Sequence, residues 1–247
     1  MELNTFFKEY PTVALAFSGG VDSAYLLYAA LKHGADVKPY YVKTAFQPQF
    51  ELEDALRLGR ELDVEITIIQ ADILSVETVR TNPADRCYYC KHTLFNLIKK
   101  RAKADGCRIL IDGTNASDDA DDRPGMRALD ELAVRSPLRE ANITKGKVRQ
   151  LSKEAGLFTW DKPAYACLAT RIKTGMSIEA AALIKIEKAE DALMKLGFAD
   201  FRVRLFGDEA RLQIKEAQMA KAFEHKAQIL AALNSHFPVV TLDLKAR

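Results

Sequence analysis

Ser18-Gly19-Gly20-Val21-Asp22-Ser23 directly follows the apolar run Val13-Ala14-Leu15-Ala16-Phe17. A β-prone segment, a turn of small residues and a helical pattern from Ala24 to Leu31 form a cradle for phosphate. Glycines let the backbone approach an anion closely, and the amides at a helix start point at it. Ser18 and Ser23 add hydroxyl donors, and Asp22 offers a carboxylate to Mg²⁺, which prefers oxygen ligands. No Lys follows the glycines, so the Walker A pattern, whose Lys reaches the β- and γ-phosphates, does not match. The bland alternative is a strand-to-helix turn that binds nothing.

Three thiols form a second candidate set. Cys87 and Cys90 make a CxxC pair placed in the loop or first turn before a helix over 91–104, and Cys167 follows in Lys162-Pro163-Ala164-Tyr165-Ala166-Cys167. A structural zinc site wants four ligands, so one here would need a fourth, for which His92 is the candidate. Three thiolates also suit a [4Fe–4S] cluster whose fourth iron is open. A redox pair or inert thiols complete the alternatives, and spacing alone leaves them open. Cys107, before an apolar run, reads as a small buried hydrophobe.

Gly113-Thr114-Asn115 stands where a strand ends, with Thr114 and Asn115 able to bond a nucleotide or brace the first loop. The acidic residues Asp118, Asp119, Asp121 and Asp122 offer oxygens to Mg²⁺ or simply a solvated loop, and Arg123 offers a guanidinium to phosphate or closes that loop. Arg202 and Arg204 alternate along an expected strand and so share a face, where two guanidiniums can grip a phosphate or carboxylate, or form a charged edge. Arg211 on the next strand is positioned to join them. His33, His225 and His236 sit in polar contexts and are expected to face solvent.

These residues need elements to hold them. Strands are expected at 13–17, 37–42, 64–69 and 108–112, and helices at 22–32, 50–62 and 91–104. Alternating β and α units with short connections predict an α/β fold, a mostly parallel, doubly wound sheet covered on both faces. Ligands of such sheets bind at the carboxyl ends of the strands, where the 18–23 turn lies. Residues 112–174 are loop-rich apart from a helix at 145–155. From about 176 the pattern becomes helix 177–196, strands 201–205 and 209–214, helix 216–233 and strand 239–243. That is a smaller α+β domain, with the boundary between 1–175 and 176–247.

The 247 residues are 48% hydrophobic and 28% charged, an ordinary globular composition. A net charge of +2 gives no footprint for a long nucleic-acid groove, so no nucleic-acid partner is expected. The start of the chain lacks a basic and apolar leader, and no run is long enough to span a bilayer. A cytoplasmic protein with reduced thiols is expected.

In order along the chain, SGGVDS, RCYYCK, GTNASDDADDRPG, the SPL of Ser136–Leu138, the VRxL of Val148–Leu151, GLFTWDKPAYACLATRI and the RVR of Arg202–Arg204 resemble the LarE-type ATP-dependent sulfur transferases of the ATP pyrophosphatase (PP-loop) superfamily. The resemblance implies an adenine nucleotide alpha hydrolase-like PP-loop domain followed by the small domain. It implies sulfur insertion into pyridinium-3,5-biscarboxylic acid mononucleotide, a step in making the nickel-pincer nucleotide cofactor of lactate racemase. Carried over by residue, Ser18, Gly19, Gly20, Val21, Asp22 and Ser23 would hold pyrophosphate, with Mg²⁺ on Asp22, while Gly113, Thr114 and Asn115 flank the nucleotide. Cys167 matches the sulfur-handling cysteine, Thr170-Arg171 replaces a Ser-Arg pair, Glu190 matches an acidic active-site residue, and Arg202 and Arg204 match residues that hold substrate phosphate.

Some members of the family carry only the equivalent of Cys167 and surrender its sulfur, leaving dehydroalanine. Others carry three cysteines and resemble cluster-bearing thiolation enzymes. Cys87, Cys90 and Cys167 place this chain with the latter, so ATP, Mg²⁺ and a [4Fe–4S] cluster are expected, with a small-molecule nucleotide as substrate and a homo-oligomer as assembly. A tRNA thiolase or a 7-cyano-7-deazaguanine synthase-like enzyme are the competing readings that share the SGGxDS turn.

Overall fold

The computed structural model describes residues 1–118 and 124–247. In chain order its elements are α1 (Leu3–Glu9), β1 (Thr12–Ala16), α2 (Val21–Lys32), β2 (Asp36–Lys43), α3 (Gln49–Glu61), β3 (Thr67–Gln70), α4 (Glu77–Arg80), α5 (Arg86–Ala104), β4 (Ile109–Asp112) and α6 (Pro124–Glu131). There follow α7 (Pro137–Glu140), α8 (Lys145–Glu154), α9 (Ala180–Lys195), β5 (Arg202–Phe206), β6 (Glu209–Gln213), α10 (Met219–Glu224), α11 (Lys226–Leu233) and β7 (Val240–Leu242). The chain divides into two compact units, one of residues 1–73 and 85–162, the other of 74–84 and 163–247.

The first unit holds a parallel sheet in the order β3-β2-β1-β4. Its strands read as near-continuous apolar runs because both faces are covered. Val13 and Leu15 of β1, Val37 and Tyr41 of β2 and Ile111 of β4 share one core with Phe6 and Phe7 of α1, Leu26 and Leu27 of α2, Leu58 of α3 and Val148 of α8. Ala14, Tyr40, Val42 and Leu110 point to the other face, against Ile98 and Ala102 of α5. The period-two alternation of strand side chains accounts for this division. The order runs outward from β1 to β2 and β3 on one side and to β4 on the other, so the crevice between the carboxyl ends of β1 and β4 is the topological switch point.

The second unit carries a three-stranded sheet, β5-β6-β7, with β5 and β6 antiparallel and β6 and β7 parallel. Leu183, Ile186, Ala189 and Leu193 of α9 are buried, as are Val203 of β5 and Leu212 of β6. The division places Cys167 in this unit, whereas the boundary read at 175 puts it with the parallel sheet. The physical reason is local: Leu168, Ala169 and Ile172 are buried, and Ile172 bridges to Leu205 of β5.

Three expectations change in detail. The helix expected at 91–104 begins at Arg86, so the CxxC pair is helical instead of preceding the helix. The helix expected at 216–233 is a 3-10 turn followed by α10 and α11, which meet at His225. The third strand occupies only Thr67–Gln70, since Val64 closes the turn after α3 by donating its amide to the Gly59 carbonyl. No helix among the described residues is long and apolar enough to cross a membrane.

Candidate active site

The loop after β1 is tied by its own hydroxyls. Ser23 Oγ accepts from the Ser18 amide at 3.3 Å and lies 3.1 Å from Ser18 Oγ, and it reaches the Gly20 carbonyl at 3.2 Å. Gly19 has φ +73°, and a Cβ there would lie 3.2 Å from the Glu51 carbonyl oxygen. Gly20 caps α2 without a side chain of its own, which keeps the helix's first-turn amides open to an anion, where the dipole favours negative charge.

Gly113 leaves β4 beside this loop. A Cβ on Gly113 would stand 2.8 Å from the Ser23 nitrogen, so the absence of a side chain is what lets the two loops meet. Asp112, buried, accepts from the Thr114 amide at 3.2 Å, from Thr114 Oγ1 at 2.5 Å and from Ser136 Oγ at 2.7 Å. Asn115, also buried, donates from Nδ2 to Asp22 Oδ1 at 3.3 Å. Its amide donates to Asp118 Oδ2 at 3.0 Å, which gives Asp118 a bracing contact. Asp119, Asp121, Asp122 and Arg123 lie outside the described residues.

Asp22 also pairs with the ammonium of Lys145 at the start of α8. Thr144 caps that helix, its side chain accepting from the Lys147 amide at 3.4 Å, and the Lys145 amide donates to Ser117 Oγ at 3.0 Å. The glycine loop has no lysine in its own motif, yet the fold brings one to it from 123 residues away. Periodicity shows that α8 exists, but nothing local to Lys145 shows where its charge goes.

In the second unit, Cys167 is a half-buried thiol at the start of the 3-10 turn Leu168–Arg171. Three guanidiniums hold the carbonyls around it. Arg202 Nη2 donates to Ala164 O at 3.0 Å, Arg171 Nη1 to Ala166 O at 2.8 Å and Cys167 O at 3.4 Å, and Arg204 Nη1 to Thr170 O at 2.7 Å. Thr170 Oγ1 donates to Cys167 O at 2.9 Å. Arg202 and Arg204 share one face of β5, where they meet the carbonyls of Ala164 and Thr170 and where Arg204 Nε also donates to Gln213 Oε1 at 2.5 Å.

Arg171 and Glu190 are each only 1% exposed and form a bidentate pair, Nε to Oε1 at 2.8 Å and Nη2 to Oε2 at 2.9 Å. Burial opposes the Arg171 cation, but the Glu190 carboxylate outweighs it and holds the guanidinium pKa above its usual value. Arg202 goes the other way: burial, then the like charges of Arg171 and Arg247, push its pKa down to about 10. Burial lowers Arg204 too. Three guanidiniums against one carboxylate, Glu190, leave this cluster with surplus positive charge, which favours an anion beside it.

Cys87 is exposed and Cys90 half-buried in the first two turns of α5. Three positions apart on a helix, they project from one face. Arg86 Nη2 lies 3.8 Å from Cys87 Sγ. Cys107 is buried, and burial raises its thiol pKa. Among the described residues no group of three or more His, Cys, Asp or Glu side chains is gathered as a metal site. His33 is exposed beside Phe7, and His225 accepts a junction role between α10 and α11.

Comparison with known proteins places this architecture. The chain is 32% identical over 240 residues to the pyridinium-3,5-bisthiocarboxylic acid mononucleotide synthase of Lactiplantibacillus plantarum, covering 96% of this chain and 87% of that protein. The chain belongs to the LarE-type family. As a LarE-type protein it is an ATP-dependent sulfurtransferase of the PP-loop class. It is also 35% identical over 249 residues to the uncharacterized protein slr1717 of Synechocystis, covering 98% of this chain and 92% of that one. A tRNA-specific 2-thiouridylase MnmA from Thermotoga is 26% identical over 187 residues, 59% of this chain and 52% of that protein. No protein-family model matches the chain.

Proposed function

We propose that this protein inserts sulfur into pyridinium-3,5-biscarboxylic acid mononucleotide through an acyl-adenylate, within nickel-pincer nucleotide cofactor biosynthesis. The likeness to the Lactiplantibacillus plantarum synthase over nearly the full chain carries this reading. ATP binds with its phosphates on the amides of Ser18–Ser23 and α2, and Thr114 and Asn115 flank the nucleotide. A substrate carboxylate oxygen attacks the α-phosphorus, forming the acyl–O–P bond as the bond to pyrophosphate breaks. Amides and the Lys145 ammonium hold the negative charge that develops on the departing pyrophosphate.

The oxygen of Asp22 is a hard donor suited to Mg²⁺, which would supply charge neutralisation at the phosphates. Lys145 then exchanges Asp22 for phosphate oxygen. Arg202 and Arg204 receive the substrate phosphate, an anion that offsets the burial cost carried by their charges.

A sulfur nucleophile displaces AMP from the adenylate, giving a thiocarboxylate. Cys87, Cys90 and Cys167 are the thiolates that would hold a [4Fe–4S] cluster with one open iron, which when bound would supply sulfide for transfer. The helical i, i+3 placement of Cys87 and Cys90 supports this over release of the Cys167 sulfur itself. Arg171 and Glu190 fix the Cys167 turn.

Anaerobic incubation with ATP, Mg²⁺ and the pyridinium mononucleotide tests the proposal by mass spectrometry. Product carrying sulfur in place of carboxylate oxygen, with pyrophosphate and AMP released, is expected. Absence of sulfur exchange under iron and sulfide loading overturns it. Loss of about 34 Da as H₂S from Cys167 would replace the cluster with the sacrificial route.

A further inference from the structure

Tyr165 stands two residues before Cys167, and neither its type nor its spacing marks it in the sequence. Its hydroxyl donates to Glu190 Oε2, and its ring meets two cations. The guanidinium carbon of Arg171 lies 4.5 Å from the ring centroid and that of Arg202 5.3 Å. Those arginines also grip the carbonyls on either side of it, Arg202 at Ala164 and Arg171 at Ala166. Glu190 receives Arg171 Nε at 2.8 Å, Arg171 Nη2 at 2.9 Å and the Val203 amide at 2.9 Å, besides the Tyr165 hydroxyl. A carboxylate has about four acceptor positions, so Glu190 is filled and serves as an anchor instead of a proton acceptor.

We infer that Tyr165 is a positioning residue for sulfur transfer: its ring, set against Arg171 and Arg202, and its bond to Glu190 hold the 164–167 segment so that Cys167 is presented in one orientation. This rests on the reading of Cys167 as the sulfur-handling residue. A tyrosine does this with one apolar plate and one polar tip, the plate ordering the two guanidiniums and the tip reading the buried carboxylate. Phenylalanine keeps the plate and loses the tip, whereas leucine loses both. The two contributions are therefore separable.

The test uses the full chain as wild type, Tyr165→Phe, Tyr165→Leu and Cys167→Ser. Two quantities are read: the alkylation rate of Cys167 by iodoacetamide, followed on its own peptide by mass, and the rate constant and KM for sulfur insertion. Thermal melts confirm that each variant is folded, and Tyr165→Phe carries the test if Tyr165→Leu does not fold. Small misplacements of a reacting group cost up to about a hundredfold in rate. Tyr165→Phe should lower the sulfur-insertion rate constant about tenfold and Tyr165→Leu about a hundredfold, with KM for ATP within about twofold. Alkylation of Cys167 should rise by about threefold in the first and about tenfold in the second as the segment loosens. Folded variants that keep the wild-type insertion rate, or whose Cys167 alkylates at the wild-type rate, overturn the proposal alone. Wild-type insertion by Cys167→Ser overturns the underlying reading and this inference with it.

Discussion

Gly113 abuts Ser23: a Cβ added at residue 113 would lie 2.8 Å from the Ser23 nitrogen and 3.1 Å from its Cα. Both neighbours are backbone, which cannot swing aside as a flexible side chain would. The carboxyl end of β4 therefore rests directly on the first turn of α2, and the wall of the proposed phosphate cradle is a main-chain contact. Gly113→Ala should push the two loops apart, costing about 1–3 kcal/mol of stability by overpacking. The larger effect falls on ATP affinity, expected to weaken at least about tenfold because the amides no longer converge. Urea unfolding and calorimetric titration with ATP measure both, and a wild-type Kd would show that the contact does not shape the cradle.

Lys145 and Asp22 make the second prediction. Their side chains are 35% and 22% exposed, so the ion pair itself contributes at most about 1 kcal/mol to stability. Its value lies in the charge delivered to the loop. Lys145→Met should leave the melting temperature nearly unchanged while the KM for ATP rises about tenfold and pyrophosphate release slows, a loss of roughly 1.4 kcal/mol or more of charge stabilisation. Lys145→Arg should recover part of it. A melting shift without a kinetic change would make the pair structural only.

Which parts of this were legible in the sequence follows from the range of each interaction. Strands β1, β2 and β4 show as apolar runs because parallel strands are buried on both faces, and the Gly-rich turn shows because its conformation demands its residue types. Helix α1 escaped, although Leu3, Phe6 and Phe7 have helical spacing, because seven residues give too little periodicity to distinguish from a strand start. The start of α5 at Arg86 was hidden because Tyr88 and Tyr89 carry no strong helix preference. Arg202 and Arg204 could be placed on one face of a strand, but not aimed at the carbonyls of Ala164 and Thr170, which are 38 and 34 residues away. The same distance problem hid Lys145 from Asp22 and Tyr165 from Glu190.

The pH dependence of the first unit should carry a mark of Glu140. Arg135 donates to both its oxygens, Nε at 2.7 Å and Nη2 at 2.5 Å, and those bonds hold the Glu140 carboxyl below its ordinary pKa although partial burial opposes them. The unfolded chain thus binds a proton more readily than the folded one at acid pH. The stability this pair contributes is complete above the unfolded carboxyl value of about 4.3 and is lost as pH falls through the folded value. Arg135 also pairs with β4 through its own backbone, donating its amide to Leu110 O at 2.9 Å, so the loss is felt beside Asp112. Glu140→Gln should cost up to about 1 kcal/mol at pH 7 and less at about pH 3, flattening the acid limb of the stability curve. Urea midpoints at the two pH values decide it, and parallel curves for variant and wild type would remove Glu140 from the account.

Arg171 and Glu190 supply the sharpest contrast between breaking a pair and replacing it. Both are fully enclosed, so removing one leaves the other as an uncompensated charge in the interior. Glu190→Ala should therefore cost about 3–5 kcal/mol, since it also strands the Val203 amide that donates to Glu190 Oε1 at 2.9 Å. The double substitution Arg171→Met with Glu190→Met removes both charges and fills similar volume, and should be less damaging than the single change even though it deletes more polar bonds. Its sulfur-insertion rate, however, should fall as far as that of the single variant, because the grip of Arg171 on the Ala166 and Cys167 carbonyls is gone in one and disordered in the other. Stability that recovers without activity is the outcome expected of a charge pair that positions the Cys167 turn. Recovery of both together would mean that packing alone holds the turn, and recovery of neither would mean that the pair is required to fold the second unit.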